Sequence, residues 1–438
     1  MTYAETLAWM HSMPRVRTAP TLSRMERLLA LLGNPEKLLA GRFIHVTGTN
    51  GKGSVCAFLS TVLRRQGYRV GRFISPYIME FRERMELDGV QITEEEVALL
   101  GEEIRACVNR FTQETGEIPL EFELVTLMGL LWFSRKNCDL VVMEVGIGGT
   151  YDATNVITPL LSVIMRVDYD HTELLGDTLA KIAEQKSGII KSGAPCVLYP
   201  NEQEVEAVVS ARCHAVGSAL VRPDTACLTL GDARPGRICF SYHGTDYILS
   251  LSGLYQVTNA LTAIEALHLL PSLGYPVSEE SIRAGLSETT FPARFEVLED
   301  DPYLILDGAH NASGIAAMAE NIRFYFPGRP LLYLCGMLCD KHPDAVLSAV
   351  LDPERVHFVA CITPPTPRAM DGEVLAGIIR ERGIAAGAFP DIPTALDALR
   401  KMQAEDFGAE NTPPILCFGS LYSAGDIRRA CGHRMETE

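Results

Sequence analysis

The sequence predicts an α/β fold: a mostly parallel, doubly wound sheet with a small antiparallel sheet, then a smaller α/β domain. Three observations predict it. Strand-like runs that are apolar on both faces alternate with helical stretches, the pattern of a parallel sheet covered on both sides. Between residues 196 and 255 short strand-like runs with Gly and Pro punctuation replace that alternation. A second strand–helix series begins near residue 297. A length of 438 residues suits two to three domains.

Residues 24–33 carry apolar positions at helical spacing and stop at Gly33-Asn34-Pro35. Phe43 to Val46 is a short apolar strand, the glycine cluster Thr47 to Ser54 follows, and residues 55–65 are helical in pattern. Residues 68–75 form a second strand, 101–111 a charged surface helix, 122–135 an apolar helix, 140–145 and 160–167 strands, and 178–190 a helix. The runs CVLYP, ALVRP, CLTLG, RICFSYHG and DYILSLSG suggest an antiparallel patch inside the first domain, before a helix over 258–270. The second series runs from a strand-bearing stretch at 297–311 through helices at 313–325, 343–351, 372–383 and 393–404, with strands at 330–337, 356–362 and 414–420 between and after them. The stretch Pro292-Ala293-Arg294-Phe295 marks the boundary, giving domains 1–296 and 297–438.

Lys plus Arg number 39 against 55 Asp plus Glu, a net charge of −16, which argues against a nucleic-acid partner because the chain would repel phosphate backbones. The first residues lack a basic segment followed by an apolar one, so no signal peptide is expected. No apolar run approaches the roughly 20 residues of a membrane span, so no membrane partner is expected either. Twelve scattered cysteines without a CxxC pair read as ordinary thiols of a reduced, cytoplasmic protein.

The strongest local signal is Gly48-Thr49-Asn50-Gly51-Lys52-Gly53-Ser54 between a strand and a helix. Glycines let backbone N–H groups approach phosphate, the helix N-terminus adds partial positive charge, and lysine adds a full one. A serine in the first helical turn suits Mg²⁺ shared with the phosphates. The first domain is therefore expected to be a P-loop domain, although Val46 stands where a strict Walker A has Gly. Glu144 ends a buried strand, where open α/β sheets bind ligands, and a carboxylate there needs a cation or donor. The following Gly146-Ile-Gly148-Gly149 is not a dinucleotide fingerprint, because Tyr151 occupies the third glycine position, so a nicotinamide site is rejected. His171, after another strand, is a candidate metal ligand. Lys186, taken alone, reads as a solvated lysine on an amphipathic helix. Asp307-Gly-Ala-His310-Asn311 ends a strand of the second, Rossmann-like domain, and polar residues at strand ends of both domains suggest a cleft between them.

These motifs, with Ser75-Pro76, Phe81-Arg82-Glu83-Arg84, Asp152-Ala-Thr-Asn155, Ile182 to Lys191, Asn259-Ala260, Arg294-Phe-Glu296 and Gly419 to Tyr422, resemble the folylpolyglutamate synthase/dihydrofolate synthase family, the folate branch of the Mur ligases. The likeness runs in order from about residue 22 to 422. It implies an ATP-dependent amide ligase: a pteridine carboxylate takes the γ-phosphoryl group, and the amine of L-glutamate displaces phosphate from the acyl phosphate. It further implies residues 1–296 as the ATP-binding domain and 297–438 as the glutamate-ligase domain, which closes over the first and excludes water. By the same resemblance Gly48 to Ser54 hold ATP with Asn259, Arg294 and Asp307. Ser54, Ser75 and Glu144 serve one Mg²⁺ and His171 a second. Lys52, Lys186 and His310 serve catalysis, Lys186 as a CO₂-derived carbamate. Arg24, Phe122, Thr150, Tyr151 and Asp152 lie on the folate or pteroate side. The family suggests a monomer.

The sequence also departs from the family pattern. Tyr77 follows Ser75-Pro76 where His is common, and Thr150-Tyr151 stands where an Arg is common. Ala293 replaces a usual Gly, and Gln185 a usual Glu. These changes bear on substrate choice more than on the ligase reaction. Two other readings stay open: a Mur-type ligase for a different acid, and a nucleotide-binding module without ligase activity.

Overall fold

The computed structural model describes residues 1–15, 21–339, 346–408 and 411–432. The chain divides into two compact units. The first is Met1–Leu228 with Tyr242–Gly244 and Thr258–Thr289; the second is Thr229–Ser241 with Thr245–Val257 and Thr290–Glu438.

The first unit is built on an eight-stranded sheet of β1 (Phe43–Thr47), β2 (Val70–Phe73), β3 (Met85–Leu87), β4 (Val90–Gln91), β5 (Leu140–Glu144), β6 (Pro159–Ile164), β7 (Cys196–Leu198) and β8 (Leu220–Val221). Their order is β4-β3-β2-β5-β1-β6-β7-β8. The six strands from β2 to β8 in that order pair in parallel, while β3 and β4 add an antiparallel edge. Every residue of β1 and β5 is buried, as a sheet covered on both faces requires. One face packs into a core with Phe43, Phe73, Val141 and Met143 from the sheet and Leu127, Phe133 and Ile104 from helices. The chain leaves β1 toward β2 on one side and enters β6 on the other, so the carboxyl ends of β5, β1 and β6 form the switch point where open α/β sheets place ligands.

Two expected strands of the supposed antiparallel patch, CVLYP and ALVRP, instead extend this parallel sheet as β7 and β8. The helix Gln203–Val216, unnoticed in the sequence, supplies the crossover that parallel pairing needs. The remaining three runs form the antiparallel sheet β9 (Leu228–Arg234), β10 (Arg237–Tyr242) and β11 (Thr245–Leu249), ordered β11-β10-β9. Most of this sheet belongs to the second unit rather than the first. The Gly253 N–H donates to the Tyr325 hydroxyl, and the Leu254 N–H to the Asn321 side chain, tying the end of the sheet to the helix Ala312–Tyr325.

The second unit's main sheet runs β12-β13-β17-β14-β15-β16, from β12 (Glu296–Asp300), β13 (Tyr303–Leu306), β14 (Leu331–Cys335), β15 (Val356–Cys361), β16 (Ala386–Ala388) and β17 (Ile415–Phe418). All its pairs are parallel except the β12–β13 hairpin, which turns at Asp301-Pro302. The expected helix over 343–351 begins on residues 340–345, outside the described residues. The cysteines are unpaired, and eight are buried, as small apolar side chains are. Among the described residues no helix is long and apolar enough to cross a membrane.

Candidate active site

The loop after β1 is shaped by two close approaches. Gly48 has φ 150°, and a β-carbon there would sit 2.6 Å from Met165 Cβ. Gly51 has φ 88°, and its β-carbon would meet Asn259 Oδ1 at 2.7 Å, so Asn259 packs directly on the loop. Thr49 fastens the loop to the segment after β6. Its N–H donates to Arg166 O (2.7 Å), its hydroxyl donates to Asp168 O (3.0 Å), and the hydroxyl accepts from the Asp168 N–H (3.0 Å). The helix Lys52–Arg65 then begins, with Ser54 buried in its first turn.

Lys52 Nζ donates to Gly48 O at 3.1 Å and Thr49 O at 3.2 Å. Lys186 Nζ, from the helix Leu179–Ser187, donates to the same Gly48 O at 2.8 Å. Lys186 is only 3% exposed, so it is not the solvated lysine its helix alone suggested. Burial, reinforced by repulsion from Lys52, pulls its pKa down to about 7, against the pull of Asp170 and Asp152. The segment after β5 positions this lysine. Thr150 donates its N–H (2.8 Å) and its hydroxyl (2.9 Å) to Gln185 O. A β-carbon on Gly149 would meet Gln185 O and Lys186 O at 2.7 and 2.8 Å, so only glycine permits the approach.

Glu144, 4% exposed, stands beside Val46 in register, and its Oε2 accepts from the Ser75 N–H at 3.1 Å. Among the described residues no group of three or more His, Cys, Asp or Glu side chains could hold a metal ion. Mg²⁺ needs no such cage: it takes oxygen ligands, commonly one or two carboxylates completed by phosphate and water. A buried carboxylate with the Ser54 and Ser75 hydroxyls fits that chemistry. His171, roughly half exposed with φ 48°, caps the short helix Thr172–Leu175, with its Nε2 3.8 Å from Asp170 Oδ2.

The residues expected on the folate side are held by their own neighbours. Arg24 forks onto Glu123 (2.7 and 2.9 Å), and Phe122 packs against Gly146 and lies 6.2 Å from the Phe73 ring. Asp152 is buried, and its carboxylate accepts from the N–H groups of Ile147 and Thr154 (both 3.0 Å) and from the Thr154 hydroxyl (2.6 Å). Tyr151 is exposed.

Arg294, Asp307 and His310 belong to the second unit. Asp307, at the end of β13, accepts from the N–H groups of Phe295 (3.0 Å) and Ala309 (2.7 Å). Burial outweighs these bonds and the nearby Arg294, and raises its pKa to about 6. His310 donates its Nδ1–H to Gly308 O at 2.8 Å. Ala293 takes φ 53°, the left-handed conformation that favours glycine, at the position where a glycine is usual.

The sequence reading missed His45 and Thr154. His45, wholly buried in β1, bonds through Nε2 to Thr154 Oγ1 at 2.9 Å, and burial holds its pKa down at about 3, so the ring is neutral. Because Thr154 donates to Asp152, His45 is the donor to Thr154. A polar residue inside the apolar run FIHV was the available signal.

A glycine-rich loop and two lysines at a parallel-sheet switch point, beside a buried carboxylate, define a nucleotide-dependent transferase or ligase site. The Mur ligase middle domain matches residues 46–267, and the Mur ligase glutamate ligase domain matches residues 293–408. The chain is 34% identical over 98% of both chains to the folylpolyglutamate synthase of Lacticaseibacillus casei. It is 32% identical, at the same coverage, to the dihydrofolate synthase/folylpolyglutamate synthase of Bacillus subtilis. The folylpolyglutamate synthase of Mycobacterium tuberculosis, solved with ADP and AMPPCP, is 29% identical and superposes with a TM-score of 0.85 over 98% of this chain and 99% of that one. The chain belongs to the folylpolyglutamate synthase/dihydrofolate synthase family of Mur ligases.

Proposed function

We infer that this chain is an ATP-dependent ligase that adds L-glutamate to a folate, by tetrahydrofolate polyglutamylation, by conversion of dihydropteroate to dihydrofolate, or by both. The observation that carries the reading is the meeting of Lys52 and Lys186 at the Gly48 carbonyl, one strand from Glu144. Transfer of phosphoryl to a carboxylate brings two anions together, and a cation at the phosphate loop, Lys52, offsets that repulsion, while the buried Lys186 is the amine open to CO₂.

In this reading a carboxylate oxygen of the folate attacks the γ-phosphorus of ATP and ADP leaves. The glutamate amine then attacks the acyl carbon, phosphate leaves and the nitrogen gives up a proton. Gly48 to Ser54 hold the phosphates and Lys52 balances their charge. Asn259, Arg294 and Asp307 would serve ATP, and His310 the reaction. Ser54, Ser75 and Glu144 would hold one Mg²⁺ and His171 a second, which would supply charge neutralisation at the phosphate oxygens. Lys186 would carry a carbamate: its neutral amine attacks CO₂ and loses a proton, which replaces a cation by an anion on the metal side. Arg24, Phe122 and Thr150 to Asp152 would line the folate side. Residues 1–296 would serve as the ATP-binding domain and 297–438 as the glutamate-ligase domain, in a monomeric, cytoplasmic enzyme.

The test is Mg²⁺-dependent ADP release with L-glutamate, comparing 7,8-dihydropteroate with tetrahydrofolate. Stimulation by tetrahydrofolate alone defines a polyglutamylating enzyme, and stimulation by both a bifunctional one. Stimulation by neither, with ATP still bound, would sink the folate reading.

A further inference from the structure

The motif Phe81-Arg82-Glu83-Arg84 has no part in the site described so far, yet it ends on an unusual cation. Nε and Nη1 of Arg84 are buried, and no hydrogen-bond partner reaches either of them. Native structures rarely bury donors unmet, and a guanidinium is among the costlier groups to leave so. Its planar face is supported instead. The guanidinium carbon lies 5.0 Å from the centroid of Tyr77 and 5.9 Å from that of Phe81. The two rings meet edge to face at 6.4 Å. Tyr77 is the residue that stands where the family commonly has His. A histidine could become a second cation beside Arg84, whereas tyrosine offers a π-face.

The carboxylates within electrostatic reach are already committed. Glu83 accepts from the N–H groups of Ile78 (2.7 Å), Met79 (2.7 Å) and Glu80 (2.9 Å). Glu121 bonds His11 and Arg15. Glu144 takes the Ser75 N–H. The neighbouring Arg82 also leaves its Nε unmet, but its Nη2 lies 2.7 Å from Glu80, whereas both Nε and Nη1 of Arg84 are unmet. The three bonds to Glu83 fix the loop, and the Ile74 N–H donates to Arg84 O at 3.0 Å, which sets this arginine next to Ser75 in space.

We propose that Arg84 is a carboxylate receptor for the acid substrate: its unmet N–H groups take a carboxylate of the folate beside Ser75, with Tyr77 and Phe81 as its platform. A guanidinium fork matches a carboxylate with two parallel hydrogen bonds, and lysine cannot reproduce that fork. The proposal rests on the folate-ligase reading. Two carboxylates have this chemistry: the reacting one, present in pteroate and folate alike, and the α-carboxylate of a glutamate tail, absent from pteroate.

The experiment compares wild type, Arg84→Ala, Arg84→Lys and Tyr77→Leu. It measures KM for tetrahydrofolate, ATP and glutamate, and tests 7,8-dihydropteroate as a substrate or, where it does not turn over, as a competitor. Thermal midpoints are recorded beside them. Arg84→Ala is expected to raise the tetrahydrofolate KM at least tenfold with the ATP KM unchanged; Arg84→Lys and Tyr77→Leu should fall between it and wild type. An equal loss for dihydropteroate assigns Arg84 to the reacting carboxylate; a loss confined to tetrahydrofolate assigns it to the tail. An unchanged tetrahydrofolate KM in Arg84→Ala and Arg84→Lys, or a parallel rise for ATP, overturns the proposal while wild-type turnover leaves the ligase reading intact. A wild type that folates do not stimulate overturns both.

Discussion

Lys52 and Lys186, 134 positions apart in the chain, donate to one acceptor, the carbonyl oxygen of Gly48. Two ammonium groups on one oxygen repel each other, and the buried member gives way. Lys186, with a pKa near 7, is the one that can present a neutral amine near neutral pH.

That relation gives a pH dependence. With the folded pKa near 7 and the unfolded one near 10.5, the unfolded chain holds a proton that the folded chain lacks across that window. The contribution of Lys186 to stability therefore rises from pH 7 toward 10.5, and Lys186→Met should remove the rise in a denaturation series. The neutral amine is also the form that adds CO₂. At fixed CO₂ pressure, a ¹³C carbamate resonance should strengthen as pH passes upward through 7 and be missing from Lys186→Met. A wild-type spectrum without it at pH 8 would end the carbamate assignment.

Lys52→Ala and Glu144→Ala should each cut ADP release by a factor on the order of 10²–10³, the scale seen when one preorganised charge is removed from a transition state. Circular dichroism should stay native. Glu144→Ala strands the Ser75 N–H and should cost about 1–3 kcal/mol of stability. Near-normal turnover in either variant would show that the site is misassigned.

Gly149→Ala should act at a distance from the phosphates. Its β-carbon would press on backbone atoms of Gln185 and Lys186, which cannot swing aside as a side chain can. A loss of about 1–3 kcal/mol in urea unfolding is expected, together with lower turnover. Wild-type stability and turnover would mean that the clamp does not set Lys186.

Asp307 supplies the opposite sign. Its folded pKa of about 6 exceeds the ordinary 3.8, so its protonated form favours folding below pH 4 and that contribution is lost as pH rises through 6. Asp307→Asn should flatten the change in thermal midpoint between pH 4 and 7. An unaltered slope would place the titration elsewhere.

The strands β1, β5 and β6 were legible because each is apolar on both faces, and the loop at 48–54 because its glycines and lysine are adjacent in sequence. The helix Gln203–Val216 was not, since its apolar residues Val205, Val209 and Cys213 lie among strand-like neighbours. From its helix alone Lys186 could not be distinguished from a surface lysine, because the groups that meet it, Gly48 O and the segment at Gly149, lie far away in sequence; only the resemblance of its motif singled it out. The expected antiparallel patch was partly wrong for a related reason: a short apolar run carries no mark of whether its partner lies parallel or antiparallel.

The two hydrogen bonds between Thr49 and Asp168 have a thermodynamic side. The Thr49 hydroxyl and N–H make the glycine-rich loop and the strand end leading to His171 one mechanical piece. In the proposed function, ordering that a nucleotide imposes at Gly48 to Ser54 would be felt at Asp168 to His171. By reciprocity an ion that settled the latter would tighten the nucleotide by the same factor. The coupling between the two ligands would then be carried in part by one threonine.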